Sequence, residues 1–375
     1  MEFRDLKRQY AALKADIDRA VSRTLTSGSF IMGPDVKELE SRLAAYAGTK
    51  HCLSCASGTD ALVLALQAIG AGPGDAVFVP DFTFFATAEA VSRVGATPIF
   101  VDVLPETFNL DARDLEKAVT DLSHEGSLNP KAAIAVDLFG LPAEYPAIRE
   151  VCRRHGLVLI EDGAQGFGGS IDGRKACSFG DISATSFFPA KPLGCYGDGG
   201  AVFTDNDEWA ELIASLRVHG KGADKYDNVR IGMNSRLDTI QAAVLKVKLD
   251  AFAAYELDAV RRAAAFYTDS LPQEVIVPRV PEGYSSSWAQ YTIRLHDSGM
   301  RDALSRELRD NGIPCAVYYP KPLHKQTAFA DLAGARDCPV ASRLSTEVLS
   351  LPIHPYITEE ELMGVCRAVC ACVRG

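Results

Sequence analysis

The sequence predicts an α/β fold in which a mostly parallel β-sheet is covered by helices. Short, apolar, β-rich runs alternate with helical patterns through the first half of the chain, which is typical of parallel strands joined by helical crossovers. Hydrophobic residues make up 47% of the 375 positions and charged residues 23%, a balance that supports a sizeable core and argues against disorder. The length accommodates two domains, or one large and one small.

The helices and strands are expected in a regular order. Residues 4–26 and 34–47 read as amphipathic helices. The alternation that follows predicts strands over 51–55, 76–80, 97–102, 132–137 and 157–161, and helices over 58–70, 84–94 and 143–155. Further strands are expected near 183–188 and 200–204. The turn-rich residues 72–75 and 102–109 are connections, and 124–130 is the best candidate for a mobile surface loop.

The second half of the chain predicts a change of domain. A long helix is expected over about 235–268, and it could carry the chain from a large domain into a smaller one. The remainder has fewer strands, several prolines and a helix near 300–311. We expect a large domain over 1–250, with the N-terminal helix included, and a small C-terminal domain over 251–375.

Charge and cysteine usage limit the classes of function. The net charge of −10 argues against a nucleic-acid or anionic-membrane surface. The sequence has no run of about 18 uncharged apolar residues, so no transmembrane helix is expected. The charged N-terminus is unlike a signal peptide and predicts a cytoplasmic protein. Cys52 and Cys55 have C-x-x-C spacing without a second pair, which favours ordinary strand residues over zinc or redox chemistry.

Lys191 has the most unusual setting of any residue in the sequence. It follows two aromatic residues and Pro189, and it precedes Pro192 and a glycine. The prolines restrict the backbone on both sides. A lysine amine that is kept partly dry loses its proton more easily and becomes a nucleophile toward carbonyls. The alternative is a lysine that packs its stem on the aromatic rings and extends its amine to water.

Four other segments contain candidate site residues, each with a plainer alternative. Gly58 and Thr59 at a predicted helix start could bind a phosphate, or form an ordinary capped turn. Asp162 ends an apolar strand and could pair with a protonated ring nitrogen, or cap the next helix. Phe84 could stack on a planar cofactor, or pack in the core.

The fourth segment surrounds Asn234 and Arg236. Asn234 could donate hydrogen bonds to an anion, and Arg236 could bind a carboxylate or phosphate with two parallel bonds. The alternative is a helix start with an Arg–Asp surface pair. Together, the segments supply a phosphate cradle, a stacking ring, a ring-nitrogen carboxylate and a Schiff-base lysine. Pyridoxal 5′-phosphate (PLP) needs these four groups, and the combination is far more specific than any one of them.

The chain also resembles a known family. Residues 30–34, 57–62, 81–89, 161–167, 186–200 and 234–242 match, in order and spacing, motifs of the DegT/DnrJ/EryC1/StrS sugar aminotransferases. The resemblance covers essentially the whole chain. It implies the aspartate aminotransferase fold (fold type I), with a mixed, mostly parallel seven-stranded sheet and a smaller C-terminal α+β domain.

The resemblance also implies roles for individual residues. Lys191 would be the Schiff-base lysine, Asp162 would pair with the pyridine nitrogen, and Phe84 would stack on the ring. Gln165 would contact the ring hydroxyl. The residues implied for the phosphate are Gly58, Thr59, Ser186 and, from the neighbouring subunit of a homodimer with two shared sites, Asn234.

Within the family, residues 186–200, 234–238 and 319–326 look closest to a branch that aminates C3 of UDP-linked 3-oxo sugars. This branch includes the aminotransferase of UDP-2-acetamido-2-deoxy-3-oxo-glucuronate, used for bacterial surface polysaccharides. Arg236 would bind an anionic part of the sugar nucleotide, and Tyr318 and Tyr319 would line the pocket from the partner subunit. Tyr318 stands where close relatives can carry His, which leaves the exact sugar open.

The resemblance implies L-glutamate as amino donor and ping-pong kinetics, because donor and acceptor use one site in turn. Three alternatives stay open: an aminotransferase for C4 or C3 of another UDP- or TDP-linked keto-deoxy sugar, a dehydrating relative, and a non-catalytic regulator on the same fold. Lys191 argues against the dehydrating branch, which has a histidine there. Residues 194–200 lack the G-x-G-x-x-G spacing of a nucleotide-binding dehydrogenase.

Overall fold

A computed structural model describes residues 1–224, 226–332 and 336–374. Twelve strands occur in this part of the chain: β1 (His51–Cys55), β2 (Asp75–Pro80), β3 (Thr97–Val101), β4 (Asn129–Val136), β5 (Val158–Asp162), β6 (Ser170–Ile171), β7 (Arg174–Lys175), β8 (Ile182–Ser186), β9 (Gly200–Thr204), β10 (Tyr284–Ser285), β11 (Tyr291–Arg294) and β12 (Val348–Leu351).

Twelve α-helices accompany them within the same described residues: α1 (Leu6–Ser27), α2 (Pro34–Ala47), α3 (Gly58–Ala68), α4 (Ala86–Arg93), α5 (Ala112–Glu125), α6 (Tyr145–His155), α7 (Asp207–Leu216), α8 (Thr239–Ala251), α9 (Leu257–Ser270), α10 (Ser298–Asp310), α11 (Pro339–Glu347) and α12 (Glu359–Arg374). A π-helical turn, Phe252–Glu256, joins α8 to α9.

The central sheet has seven strands in the order β1-β9-β8-β5-β4-β2-β3, as the resemblance implies. Strands β8, β5, β4, β2 and β3 pair in parallel, whereas β9 runs antiparallel to both β8 and β1. All strands of this sheet except β9 therefore point the same way. Their carboxyl ends meet at one edge, which is where open α/β sheets bind ligands.

Apolar clusters cover both faces of the sheet. One cluster includes α3 and α4, and two others lie on the opposite face. Cys52 and Cys55 belong to different clusters because their side chains point to opposite faces of β1. All ten cysteines are free, so the C-x-x-C pair consists of ordinary strand residues, as its alternation predicts.

The C-terminal part of the chain has a core of its own. Side chains from residue 260 onward pack between β11, β12 and the helices α9, α10 and α12. The predicted boundary at residue 250 falls within the nearly continuous α8–α9 segment. Buried residues of 323–348 pack instead on the core of the large sheet. The division at 250 therefore stays a prediction, supported by the separate C-terminal core.

The structure corrects two predicted elements. The long helix begins at Thr239 rather than 235, because Asp238 has an extended backbone (ψ 141°) and Asn234 forms a β-bridge with Val218. Residues 124–130 are not one loop, since α5 includes His124 and β4 begins at Asn129. Across the described ranges 1–224, 226–332 and 336–374, no helix combines the length and apolarity needed to cross a bilayer.

Candidate active site

A cavity of about 420 Å³ opens at the carboxyl edge of the sheet. Nine of the eleven predicted site residues line it: Gly58, Thr59, Phe84, Asp162, Gln165, Ser186, Lys191, Tyr318 and Tyr319. They come from the start of α3, the ends of β5 and β8, and the loops after β2, β8 and α10. The fold thus brings together residues that lie up to 261 positions apart in sequence.

One end of the cavity has hydrogen-bond donors that suit an anion. Ser57 caps α3 by accepting a 3.0 Å hydrogen bond from the Asp60 amide. Within the described part of the chain, the amides of Gly58 and Thr59 have no protein acceptor. The positive end of the helix dipole and these two free donors favour a phosphate.

Gly58 is required by close packing against Ser186. A Cβ on Gly58 would lie 2.6 Å from the Ser186 Cβ and 3.1 Å from its Oγ. The start of α3 and the end of β8 therefore meet without room for a larger side chain. The Ser186 hydroxyl stands beside the two amides as a third donor for the same anion.

Asp162 lies at the base of the cavity as a buried acid. Its Oδ2 accepts a 2.8 Å hydrogen bond from Thr87 Oγ1, and its Oδ1 accepts a 3.2 Å bond from the Ala164 amide. Burial raises the pKa of Asp162, while these bonds and the charge of Lys191 oppose the shift. A positively charged partner in the cavity would stabilise the ionised carboxylate.

Glu161, the other acid of β5, faces away from the cavity. Its carboxylate accepts hydrogen bonds from the amides of Phe179 and Gly180, at 2.6 and 3.1 Å, and from Ser183 Oγ at 2.9 Å. Successive strand residues point to opposite faces of a sheet, so only one of the two acids can reach the cavity. The structure selects Asp162.

Lys191 lies in the loop between β8 and β9, with its amine facing the cavity. Burial lowers the pKa of Lys191, Asp162 opposes the shift, and the positive charge of Arg4 adds to it. A lowered pKa increases the fraction of neutral, nucleophilic amine. These surroundings favour the prediction that Lys191 has a partly dry, nucleophilic amine.

The cavity walls are aromatic and amide groups. Phe84 is 54% exposed and its ring lies 6.3 Å from that of Tyr319, so it is not a core residue. The Gln165 Oε1 accepts from the Phe139 amide at 2.9 Å, which turns Nε2 toward Tyr319 Oη at 3.2 Å. Burial raises the pKa of Tyr319, so its phenol stays protonated.

The structure corrects the expected origin of Tyr318 and Tyr319. The resemblance implied that they come from a partner subunit, but both line the cavity of their own chain. The Tyr319 ring contacts Phe82 of the same chain at 6.0 Å, and the Tyr318 ring contacts Phe3 at 6.2 Å. The loop after α10 can therefore reach back to the large sheet.

Asn234 and Arg236 do not line this cavity in the chain as described. Asn234 is exposed and Arg236 half-buried. Between them, Ser235 Oγ donates to Asp60 at 2.7 Å, which holds the segment beside α3. Their expected roles toward phosphate and substrate stay predictions, and a second subunit would be needed to bring Asn234 to a phosphate.

Three residues in or beside the cavity were not predicted: Thr83 and Gln290 line it, and Thr87 contacts Asp162. Thr87 supports Asp162, Thr83 Oγ1 lies 3.3 Å from Thr87 Oγ1, and both threonines are buried. Their spacing of four residues, near the start of a predicted helix that follows a strand, could have indicated that the two threonines lie close together. Gln290 lines the cavity with its buried Oε1 unpaired among the described residues. A single glutamine before β11 carries no pattern that points to a site.

These groups fit PLP. The cradle of Gly58, Thr59 and Ser186 suits its phosphate, and Phe84 can cover its ring. The buried carboxylate of Asp162 suits a protonated ring nitrogen, and Lys191 suits its aldehyde. The orphan amides of α3 and the raised pKa of Asp162 are the observations on which this fit depends.

Comparisons with known proteins agree with the geometry. Residues 11–370 match the model of the DegT/DnrJ/EryC1/StrS aminotransferase family. The chain is 45% identical over 370 residues to the UDP-2-acetamido-2-deoxy-3-oxo-D-glucuronate aminotransferase of Pseudomonas aeruginosa, covering 98% of this chain and 99% of the relative.

Solved structures are also similar. A DegT DnrJ EryC1 StrS aminotransferase from Brucella abortus is 48% identical, with a TM-score of 0.96 over 99% of both chains. The PLP form of a putative sugar aminotransferase from Streptococcus pneumoniae is 26% identical, with a TM-score of 0.89 over 96% of both chains. This chain therefore belongs to the DegT/DnrJ/EryC1/StrS aminotransferase family and is an aminotransferase that depends on pyridoxal phosphate.

Proposed function

We propose that this aminotransferase moves the amino group of L-glutamate to C3 of UDP-2-acetamido-2-deoxy-3-oxo-glucuronate, for the synthesis of a bacterial surface polysaccharide. The observation that carries the proposal is the whole-length similarity to the Pseudomonas aeruginosa enzyme named for that substrate. The cavity supports the reaction class, since it joins an amine of lowered pKa to a buried acid and an anion cradle.

PLP supplies an electron sink that stabilises negative charge on the carbon losing a proton. In the proposed reaction, Lys191 Nζ takes a proton from Cα of the amino donor. It later returns a proton to the sugar carbon that has gained the amino group. Asp162 holds the proton on the ring nitrogen, and Thr87 fixes the orientation of the Asp162 carboxylate.

The walls of the cavity orient the two substrates in turn. Phe84 and Tyr319 cover the faces of the site, and Gln165 donates from a fixed amide. Because the phenol of Tyr319 stays protonated, it can donate to a substrate oxygen. Arg236 is proposed to bind the carboxylate or the nucleotide of the sugar substrate, in a homodimer whose subunits share their sites.

The proposal includes a cytoplasmic location and a homodimer in which Asn234 reaches the partner's phosphate. The free state of all ten cysteines supports a reducing compartment. Several large apolar side chains on the surface support an interface: Leu25, Phe30, Ile31, Phe188, Val229 and Ile231.

Deamination of the amino-sugar product, the reverse of the proposed reaction, tests the substrate. The PLP-loaded protein is given 2-oxoglutarate and a panel of amino sugars: the 3-amino glucuronate, the 3-amino glucose and 4-amino-6-deoxy sugars, each UDP- or TDP-linked. We expect the highest kcat/KM for the UDP-linked 3-amino glucuronate. A preference for a 4-amino sugar would contradict the regiochemistry.

A substitution pair tests the carboxylate contact. Arg236→Met should reduce kcat/KM for the glucuronate by tenfold or more, because a charged hydrogen bond contributes about 1.5–3 kcal/mol. The corresponding glucose substrate, which lacks the carboxylate, should lose much less. Equal losses on both sugars would assign Arg236 to the nucleotide instead.

A further inference from the structure

Arg4, which precedes the first helix, reaches the main chain of Lys191. Its Nη2 donates to the carbonyl of Lys191 at 3.0 Å and to that of Pro192 at 3.3 Å. Arg4 lies 187 positions away in sequence and does not line the cavity. It therefore contacts the main chain of the Schiff-base residue from outside the cavity.

The two carbonyls depend on this one guanidinium. In residues 1–224, 226–332 and 336–374, no other hydrogen-bond donor pairs with either of them. Pro192 is buried, and it has no N–H with which to fix the loop itself. Removal of Arg4 would leave both partly buried carbonyls without a protein donor.

The guanidinium is presented by a rigid support. Asp5 caps α1 by accepting a 2.8 Å bond from the Arg8 amide. The helix then packs Leu13 and Ile17 on Val244 and Ala251 of α8. Arg4 is therefore fixed to the large sheet domain independently of the loop that it contacts.

The charge of Arg4 also acts on its surroundings. Burial lowers the pKa of Arg4 to about 10, and Glu256 opposes the shift, so the side chain remains a cation at neutral pH. Its charge lowers the pKa of Lys191 and that of the buried Lys248. A cation behind the reactive amine disfavours a proton on that amine.

We propose that Arg4 is a positioning residue for the aminotransferase reaction: its guanidinium fixes the Lys191–Pro192 main chain and aims the Lys191 amine into the cavity. Phe3, its neighbour, contacts the ring of Tyr318, which lines the cavity. The segment before α1 thus supports two walls of the site. The inference depends on the aminotransferase reaction and not on which sugar is used.

The test compares Arg4→Met with Arg8→Met. Arg8 is a matched control, because it is an arginine one helical turn away that binds Glu361, at 2.7 and 2.8 Å, rather than the lysine loop. With PLP-loaded proteins, we would measure the pH midpoint of the cofactor absorbance change and the single-turnover rate with glutamate. Thermal unfolding reports whether each variant is folded.

Arg4→Met should move the absorbance midpoint to higher pH, because loss of a nearby positive charge favours the protonated cofactor–lysine nitrogen. It should also slow the single turnover by about tenfold or more, since a misplaced reacting group is costly. Arg8→Met should change neither. The absorbance titration needs no amino donor, so it remains informative if the donor or sugar is wrong.

Arg4→Lys keeps the charge but loses the planar fork, so its midpoint should stay near that of the wild type while its rate is intermediate. If Arg4→Met does not fold, Arg4→Lys is compared with Arg8→Lys, and only the former should be slowed. A folded Arg4→Met protein with the wild-type midpoint and rate overturns the proposal. So do equal effects in the Arg4 and Arg8 variants.

Discussion

Lys191, which is half-buried, and Lys248, which is buried, are two lysines of lowered pKa in very different places. Lys191 lines the cavity, whereas Lys248 lies under the ring of Tyr196, 5.0 Å from its centroid, where its pKa falls to about 8. Burial alone therefore does not define a reactive lysine. What distinguishes Lys191 is its position among the acid, the ring and the anion cradle.

Lys191→Ala should reduce transamination by at least about 10²–10⁴-fold, because Lys191 is the one lysine among the described residues that line the cavity. The measurement is a single turnover with glutamate, followed by cofactor absorbance. Lys248→Met is the matched control and should retain a rate near that of the wild type. Near-normal turnover in Lys191→Ala would refute the assignment.

Gly58→Ala should weaken PLP binding by about tenfold or more, since overpacking a close contact costs about 1–3 kcal/mol. The added methyl would meet Ser186 Cβ at 2.6 Å. Gly364→Ala is the control, because a Cβ there meets nothing within 4 Å in the middle of α12. It should leave PLP affinity unchanged and stabilise the helix by up to about 1 kcal/mol. Titration with PLP distinguishes the two.

The sequence indicated Lys191 by the aromatic residues and prolines around it, Asp162 by its place at the end of an apolar strand, and Gly58 by its place at a predicted helix start. It could not indicate Arg4, whose partners are two main-chain carbonyls almost half the chain away. Every residue has a backbone carbonyl, so a hydrogen bond to one does not depend on the type of the accepting residue and cannot be read from the sequence. Thr87 was missed although its spacing from Thr83 was visible, because its role depends on which face of α4 meets Asp162.

At the scale of elements, the strands and helices of the first hundred residues were predicted within a few positions. Helices α5, α7, α11 and α12 were not predicted. Helix α11 packs on the core of the large sheet, and α12 packs in the C-terminal core. Helices whose buried face is set by tertiary packing carry a weaker sequence signal than alternating strands.

The junction of α1, α12 and the segment before α12 contains a histidine that should make stability depend on pH. His354 is 1% exposed, its Nδ1 accepts from the Tyr356 amide at 3.3 Å, and its Nε2 is unpaired among the residues described. Burial lowers the pKa of His354 to about 4, with Arg4 and Arg8 adding to the shift and Asp5 and Glu361 opposing it.

Because the folded pKa lies below the unfolded value of about 6.5, the unfolded state binds more protons between the two values. The neutral histidine's contribution is therefore full above about pH 6.5 and is lost as the pH falls toward 4. The free energy of unfolding should fall by about 1–3 kcal/mol over that range.

Urea unfolding at pH 7 and pH 5 measures this effect. His354→Asn should reduce the difference between the two pH values, because asparagine keeps an acceptor but does not titrate. The exposed His296 provides the control variant His296→Asn, which should behave as the wild type does. An unchanged pH dependence in His354→Asn would show that other groups cause it.

At the scale of the whole molecule, a homodimer with shared sites predicts complementation. If Asn234 acts on the partner's phosphate, Lys191→Ala in one chain and Asn234→Ala in the other fall in the same site of a mixed dimer. Each mixed dimer then contains one intact site. Random mixing of two inactive variants should restore about a quarter of wild-type activity, because half of the dimers are mixed.

Co-refolding the two variants and assaying transamination measures the recovery. Mixing two preparations of Lys191→Ala provides the blank. If Asn234 instead served its own chain, a mixed dimer of the two single variants would have no intact site. A mixed dimer would then keep one intact site only if both substitutions were in the same chain. The double variant mixed with wild-type protein therefore provides the reference. No recovery from the two single variants would contradict the shared site.

The contact between Gly58 and Ser186 has a consequence for which form of the vitamin the protein can retain. The cradle is held at contact distance by α3 and β8, so it needs no rearrangement when a ligand arrives. If these amides and the hydroxyl bind the phosphate, as predicted, pyridoxal without that group would leave them facing water. The packing of one glycine against one serine would then make the site select the phosphorylated form of the vitamin.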